Sequence, residues 1–156
     1  MVFALLCTII VTLCISFTCS LVEAAIYSVP ITYVKSLTEQ RSSSARILLG
    51  FKEDIAKPIT LILFVNTGSN SIGPLVIGWL SGEAFSSSPL MIAVVSIAFT
   101  FVLLIAGELI PKTLGVVYCK PIALAAAWPI QILSRVLHPL VLLSSWLQRS
   151  LESGSL

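Results

Sequence analysis

A short turn in the last third of the chain combines features that suit binding of a metal cation. Residues 107–112 read GELIPK and follow an uncharged stretch from 84 to 107. Glu108 therefore places a carboxylate at the end of a membrane-type segment, where a charge at mid-span costs roughly 2.5–3.5 kcal/mol. In a helix, Pro111 has no N–H to donate to the carbonyl four residues back, which belongs to Gly107. A carboxylate beside a freed carbonyl offers the oxygen ligands that Mg²⁺ and Ca²⁺ prefer.

Further polar residues lie inside the other apolar segments. In the first segment, four of them stack on one helical face at spacings of four, three and four: Ser16, Ser20, Glu23 and Tyr27. In the second, Asn66 and Asn70 are one helical turn apart. At 1.5 Å per residue, Asn66 lies about 13 Å into its segment, counted from Lys57. The GELIPK turn closes the third segment at the same inner half of the membrane.

These polar groups have a simpler interpretation, which holds for some of them. Serine and asparagine join membrane helices through hydrogen bonds worth about 0.6–2 kcal/mol each, and this role is favoured for Ser16 and Ser69 taken singly. It leaves Glu23 and Glu108 without a basic partner inside the apolar segments. Such carboxylates are expected either to be protonated or to bind a cation. Together, five residues predict an intramembrane cation site: Ser20, Glu23, Asn66, Asn70 and Glu108.

Composition limits the class of protein. Of the 156 residues, 57% are hydrophobic and only 10% are charged, against about 25% charged in soluble domains. The chain is therefore predicted to be an all-α integral membrane protein. A net charge of +2 without a basic patch does not indicate nucleic-acid binding. There is no nucleophile–base pair, phosphate loop or Cys/His zinc spacing, so enzymatic chemistry is not expected.

Three segments are long and apolar enough to cross a membrane: residues 2–29, 58–80 and 89–111. Residues 31–57 carry five basic side chains and residues 81–88 carry none. The positive-inside rule therefore predicts an outer N-terminus, a cytoplasmic 31–57 loop and an outer 81–88 loop in the cell membrane. A cleaved signal peptide over residues 1–25 is the alternative for the first segment. It is not favoured, because no positive charge precedes a long apolar run.

The remaining segments are predicted to lie along the inner membrane surface. Residues 31–57 resemble a short helical pair that breaks at residues 42–44. Residues 121–150 are apolar with one polar stripe, formed by Gln131, Arg135, His138, Ser145 and Arg149. We expect broken amphipathic helices there, interrupted at Pro129 and Pro139, followed by a tail at 151–156. A fourth membrane crossing over 121–150 is the alternative.

At this point three motifs resemble those of one transporter family. Residues 107–112 are similar to the GE-I/L-x-PK signature of the cyclin M (CNNM)/CorC-type magnesium transporters. Residues 62–70 (ILFVNTGSN) resemble that family's N-N/T-x-x-N stretch, and residues 20–25 (SLVEAA) resemble its S-G-S-E-T-A segment. Order and rough spacing agree over about residues 5–150. The first-span motif departs from the family where Leu21 and Val22 replace Gly-Ser.

The resemblance implies a fold, an activity and a site. The fold would be a homodimer of three spans per subunit with a cytoplasmic belt of juxtamembrane helices. The activity would be Mg²⁺ export, thought to be coupled to sodium entry. The implied metal ligands are Ser20, Asn66, Glu108 and the Gly107 carbonyl, with Asn70 nearby. We expect Glu23 to contribute a nearby charge or a site for the coupling ion.

One family feature is missing from this sequence. Members usually carry a cytoplasmic pair of CBS modules, and no such modules follow the apolar segments here. The alternative function is therefore a non-transporting membrane subunit or scaffold, whose polar face holds a separate CBS-containing partner. The residues do not distinguish Mg²⁺ from Mn²⁺ or Co²⁺, because all three accept oxygen ligands.

Overall fold

Helices make up nearly all of the computed structural model, which describes residues 2–85 and 88–137. There are α1 Val2–Ser28, α2 Ile31–Glu39, α3 Ser43–Glu53, α4 Ala56–Ala84, α5 Pro89–Val102, α6 Ile110–Val117 and α7 Cys119–Val136. A π-helical segment, Leu103–Leu109, joins α5 directly to α6. The part of the chain that the structure describes contains no β-strand. The predicted all-helical class is confirmed.

In the part of the chain that the structure describes, three helices are long and apolar enough to cross a membrane, as predicted: Val2–Ser28, Ala56–Ala84 and Pro89–Val117. The third is longer than the predicted 89–111, because the helix continues beyond Pro111. Pro111 is the second residue of α6, and because α6 continues directly from the π segment, its missing N–H leaves a carbonyl of the preceding turn without that helical hydrogen bond. Among the described residues, α7 does not belong to this set of candidate spans.

Helix α1 packs against α4, the π segment, α6 and α7. Glycines on the neighbouring helices allow it to approach closely. A Cβ on Gly73 of α4 would overlap the side chain of Thr12, and a Cβ on Gly115 of α6 would overlap the backbone carbonyl of Leu21. Small residues at such crossings let helix backbones meet, which is the usual way that membrane helices associate. The position of α1 is therefore set by glycines that belong to the other two spans.

Two apolar clusters are separated along the bundle by buried polar residues. The cluster near the C-terminal end of α1 includes Ala25, Ile26, Val34, Leu48, Ile62, Ala127 and Ile130. The cluster near its N-terminal end includes Leu5, Ile77, Leu80, Phe99 and Leu103. Between them lie four buried polar side chains, Thr12, Ser16, Ser20 and Asn66. We call these four residues, with Asn70, Gly107 and Glu108, the polar layer.

The helical pair α2 and α3 contacts the C-terminal end of α1. Residues 40–42 separate the two helices, slightly before the predicted break, and the Ser42 hydroxyl caps α3 by accepting from the Ala45 N–H at 3.4 Å. The Lys52 ammonium donates to the Tyr27 carbonyl at 3.1 Å, at the C-terminal end of α1. Burial lowers the pKa of Lys52 below its ordinary value, with the nearby Cys119 acting in the opposite direction. This lysine couples the helical pair to α1.

The prediction that Pro129 interrupts the C-terminal helix is wrong. Helix α7 runs from Cys119 to Val136 with Pro129 inside it. Its buried face packs against α1, α3 and α4 and consists of Ala123, Ala126, Ala127 and Ile130. The small alanine side chains allow close packing against the neighbouring helices. This packing stabilises α7 at Pro129, where one backbone hydrogen bond is missing. The predicted polar stripe beyond Leu137, and the break at Pro139, lie outside the described residues.

The predicted orientation can be tested by cysteine labelling. In a variant without the four native cysteines, we expect Glu83→Cys to react with a membrane-impermeant maleimide on intact cells. Ser43→Cys should react only after permeabilisation, because the basic 31–57 loop is predicted to be cytoplasmic. Both side chains are exposed, so access through the protein does not limit labelling. The reverse pattern would invert the predicted topology.

Candidate functional site

The polar layer is assembled from α1, α4 and the π segment. Thr12 lies against Gly73 of α4, and Ser16 lies against Gly107 of the π segment. Helices α1 and α4 are antiparallel, so residues with increasing numbers on α1 lie beside residues with decreasing numbers on α4. From Thr12 to Ser20 is about 12 Å along α1, and from Gly73 back to Asn66 is roughly 10 Å along α4. Ser20 therefore lies at about the level of Asn66.

Glu108 is hydrogen-bonded across the bundle to α4. The Asn70 Nδ2 donates to Glu108 Oε1 at 2.9 Å, a contact that joins residues 38 positions apart in the sequence. The same Nδ2 lies 3.5 Å from Asn66 Oδ1, one turn away on α4. Asn66 is buried, with 6% of its surface exposed, whereas Glu108 and Asn70 are half-buried. Two asparagines and one carboxylate thus form a connected polar group.

The Gly107 carbonyl, which the sequence predicted to be freed by Pro111, accepts a hydrogen bond from the Ser16 hydroxyl at 3.3 Å. The backbone around it is π-helical, and the Ile110 N–H bonds to the Ile105 carbonyl five residues back. A Cβ on Gly107 would lie only 3.0 Å from Ser16 Oγ, so glycine permits this contact. π-helical turns inside α-helices are frequent at functional sites. Next to the Glu108 carboxylate, the backbone hydrogen bonds therefore have a five-residue spacing instead of the four-residue spacing of an α-helix.

Two buried oxygens of the polar layer have no hydrogen-bond partner in the described part of the chain. They are Ser20 Oγ, on a residue with none of its surface exposed, and Asn70 Oδ1. Leaving a buried polar atom unpaired costs about 1–3 kcal/mol. Ser20 and Asn70 are therefore the residues whose oxygens gain most from an additional positively charged neighbour.

Glu23 is not joined to this group. It is half-buried on α1, and among residues 2–85 and 88–137 it has neither a hydrogen-bond partner nor an ion-pair partner. Tyr27, on the same predicted face, has an exposed side chain, and only its carbonyl is engaged, by Lys52. Of the four residues on the predicted 4-3-4 face, Ser16 and Ser20 are buried in the bundle, whereas Glu23 is half-buried and the Tyr27 side chain is exposed.

Glu108 is also reachable from outside the bundle. It lines a shallow groove of about 380 Å³ with Leu104, Ile105, Leu109 and Lys112. Lys112 is exposed and lies one turn after Glu108, yet it forms no ion pair with it in the described part of the chain. The carboxylate thus faces the Asn70 amide on one side and the edge of the third span on the other.

Ser16 has the helix-joining role that the sequence predicts, since its hydrogen bond connects α1 to the π segment. Its spacing four residues before Ser20 also places it on the same helical face. The structure buries Ser16 completely and bonds it to Gly107. A helical-face argument combined with the predicted free carbonyl could have identified it as a candidate partner of the GELIPK turn.

The donor set is made of oxygens. The predicted ligands are hydroxyl, amide and backbone carbonyl oxygens with one carboxylate, on Ser20, Asn66, Asn70, Gly107 and Glu108. Hydrogen bonds connect Asn66, Asn70 and Glu108 to one another. Nowhere among the described residues do three His, Cys, Asp or Glu side chains gather into one group. Hard cations such as Mg²⁺ bind to oxygen ligands of this type, whereas zinc and copper prefer nitrogen and sulfur. The arrangement therefore fits a hard, oxygen-seeking cation.

Comparisons with known proteins agree with the fold and the motifs. Residues 7–153 match a family described as the cyclin M transmembrane N-terminal domain. The chain is also 35% identical over 123 residues to a UPF0053 protein of Synechocystis sp., an alignment that covers 79% of this chain. The chain spans about a third of the length of that relative, since the alignment covers 35% of it. On the family match, this chain belongs to the cyclin M (CNNM) transmembrane-domain family.

Proposed function

We propose that this chain is the ion-translocating membrane part of a divalent-cation transporter, with Mg²⁺ as its substrate. The observation that carries the proposal is the hydrogen bond between Asn70 and Glu108, which joins α4 to the π segment at the GELIPK turn. It places a carboxylate beside two asparagines between apolar clusters. Membership of a family generally associated with divalent-cation transport supports the same function.

The proposed ligands suit an ion that has to be released again. One carboxylate supplies the charge, and Ser20, Asn66, Asn70 and the Gly107 carbonyl supply neutral oxygens. Transport requires a site that binds well enough to admit the ion and weakly enough to release it. Mg²⁺ also demands near-octahedral oxygen geometry and loses its water reluctantly. Small displacements of the polar layer should therefore change binding strongly.

The proposal extends to coupling and assembly. Mg²⁺ export driven by sodium entry would need a second cation site, and Glu23 is the half-buried carboxylate of α1 that could supply its charge. We propose a homodimer in the cell membrane, with a CBS-containing protein as a further partner. We propose that the chain binds and moves a cation and has no enzymatic role.

Mg²⁺ flux in liposomes that contain only this chain tests the proposed function. The purified protein is reconstituted with a Mg²⁺-sensitive dye inside, with and without an opposing sodium gradient. We expect Mg²⁺ movement in the parent protein, faster with the gradient if the two ions are coupled. A parallel preparation carrying Glu108→Gln should move none. If folded protein moved no Mg²⁺ in either condition, the alternative of a non-transporting subunit would replace this proposal.

A further inference from the structure

The oxygens proposed to bind the cation already accept hydrogen bonds from two donors of the protein. The Asn70 amide donates to Glu108 Oε1 and lies next to Asn66 Oδ1, at 2.9 and 3.5 Å. The Ser16 hydroxyl donates to the Gly107 carbonyl at 3.3 Å. Each donor directs a partial positive charge at a lone pair that a cation would also use. Cation and protein donors therefore compete for the same oxygens.

Asn70 is the donor whose position conflicts most with a bound cation. Its Nδ2 lies between the two side-chain oxygens, and its hydrogens would repel a cation that bridged them. A cation held by Asn66 and Glu108 together therefore requires the amide to turn away. The other end of the amide, Oδ1, is buried and accepts no hydrogen bond in the described part of the chain. A half-turn of the amide brings this oxygen to the site as a ligand.

The two amide orientations suit two steps of a transport cycle. After a cation is released, a carboxylate left in the bundle without a partner is costly. The Asn70 amide and the Ser16 hydroxyl supply compensating hydrogen bonds at that moment. We infer that Asn70, assisted by Ser16, stabilises a cation-free form of the polar layer, which lets the protein change access without carrying Mg²⁺. This inference rests on the proposed function and gives Asn70 a second role besides that of a ligand.

Comparing net transport with exchange tests the role of Asn70. Net flux needs the protein to return without Mg²⁺, whereas exchange of labelled for unlabelled Mg²⁺ at saturating concentration on both sides does not. In liposomes, we expect Asn70→Ala to lower net flux by about tenfold or more, the equivalent of one hydrogen bond to a charged group. Exchange should fall by less than net flux, because exchange avoids the cation-free form and saturating Mg²⁺ offsets the weaker binding that the loss of a proposed ligand causes. An equal fall in both rates, or no fall in either, would overturn the inference.

Thermal unfolding in detergent gives a readout that does not depend on transport. Ser16→Ala removes a donor but none of the proposed ligands, so it should lower the unfolding midpoint in chelator and leave it nearly unchanged in saturating Mg²⁺. Asn70→Ala should lower the midpoint in both conditions, and by more in chelator, because it removes a donor from the cation-free form and a proposed ligand from the bound form. Ser69→Ala is the matched control, because this half-buried neighbour makes no side-chain hydrogen bond in the described part of the chain. A drop of equal size with and without Mg²⁺ would contradict a donor role.

The two proposals fail in different ways. If the parent protein shows neither net flux, nor exchange, nor stabilisation by Mg²⁺, the proposed function is wrong. If the parent transports and binds Mg²⁺ but Asn70→Ala loses net flux and exchange equally, the proposed function stands. In that case Asn70 acts only as a ligand, and the inference about the cation-free form is wrong.

Discussion

Replacing Glu108 by glutamine should abolish the rise in thermal stability that Mg²⁺ gives to the purified protein. Within the described part of the chain, Glu108 is the carboxylate that is hydrogen-bonded in the polar layer. Glutamine keeps its shape and can still accept from Asn70, so the variant removes charge with little change in packing. Because Glu108 is the one charged group among the proposed ligands, we expect its loss to weaken binding at least roughly 100-fold, which corresponds to about 3 kcal/mol. The unfolding midpoint across a Mg²⁺ titration measures this loss.

A matched substitution separates the site from a general effect of charge. Glu83→Gln makes the same change at an exposed position near the end of α4, and it should leave the Mg²⁺ response intact. The parent and both variants should have similar midpoints in chelator. If Glu108→Gln bound and moved Mg²⁺ like the parent, the site would lie elsewhere. Glu108 would then be a protonated packing group.

Gly115→Ala should have the largest effect on folding. A Cβ at this position would overlap the Leu21 carbonyl and lie 2.8 Å from the Ala24 Cβ, and backbone cannot move aside as a side chain can. The added methyl group should therefore separate α6 from α1 and destabilise the bundle by about 1–3 kcal/mol. Because α1 carries Ser16 and Ser20, the shift should also weaken Mg²⁺ binding. Thermal unfolding monitored by size-exclusion chromatography checks the stability change, and the Mg²⁺ titration checks the binding change.

The control for this substitution is another glycine within a membrane helix. A Cβ on Gly78 meets nothing within 4 Å. Gly78→Ala should therefore leave stability unchanged or raise it by up to ~1 kcal/mol, through the higher helix propensity of alanine. If Gly115→Ala were as stable as Gly78→Ala, α6 and α1 would be farther apart than the structure shows. The glycine at 115 would then have no packing role.

The helical architecture could largely be predicted from the sequence. Long uncharged apolar segments have to satisfy their backbone hydrogen bonds internally, so helices are the available solution. The predicted starting point for the site was also informative, since Glu108 and Asn70 are in contact in the structure. The metal-ligand roles themselves remain predictions. Pro129 was misjudged, because proline rules describe the local backbone and do not include support from packing partners.

The π-helical turn could not be read from the residues alone. A register of five instead of four around Gly107 depends on what the neighbouring helices offer to the backbone, here a buried serine hydroxyl. The same limit applies to Glu23 and Ser16. Helical spacing predicted that both residues lie on one face of α1, but it does not predict how much of that face is buried. Packing buried Ser16 completely and left Glu23 outside the hydrogen-bonded group.

By itself, the sequence determined the composition of the spans and the chemical types available inside them. Apolar length sets where helices can cross a membrane, and two carboxylates among serines and asparagines set an oxygen-ligand chemistry. Tertiary structure alone decided which of these groups meet. The approach of α1 to Gly73 on α4 and to Gly107 and Gly115 on the third span fixes the levels of the three spans against one another. The resulting alignment of the spans brings Asn70 next to Glu108. Such contacts depend on distances between helices, which the sequence of a single segment does not specify.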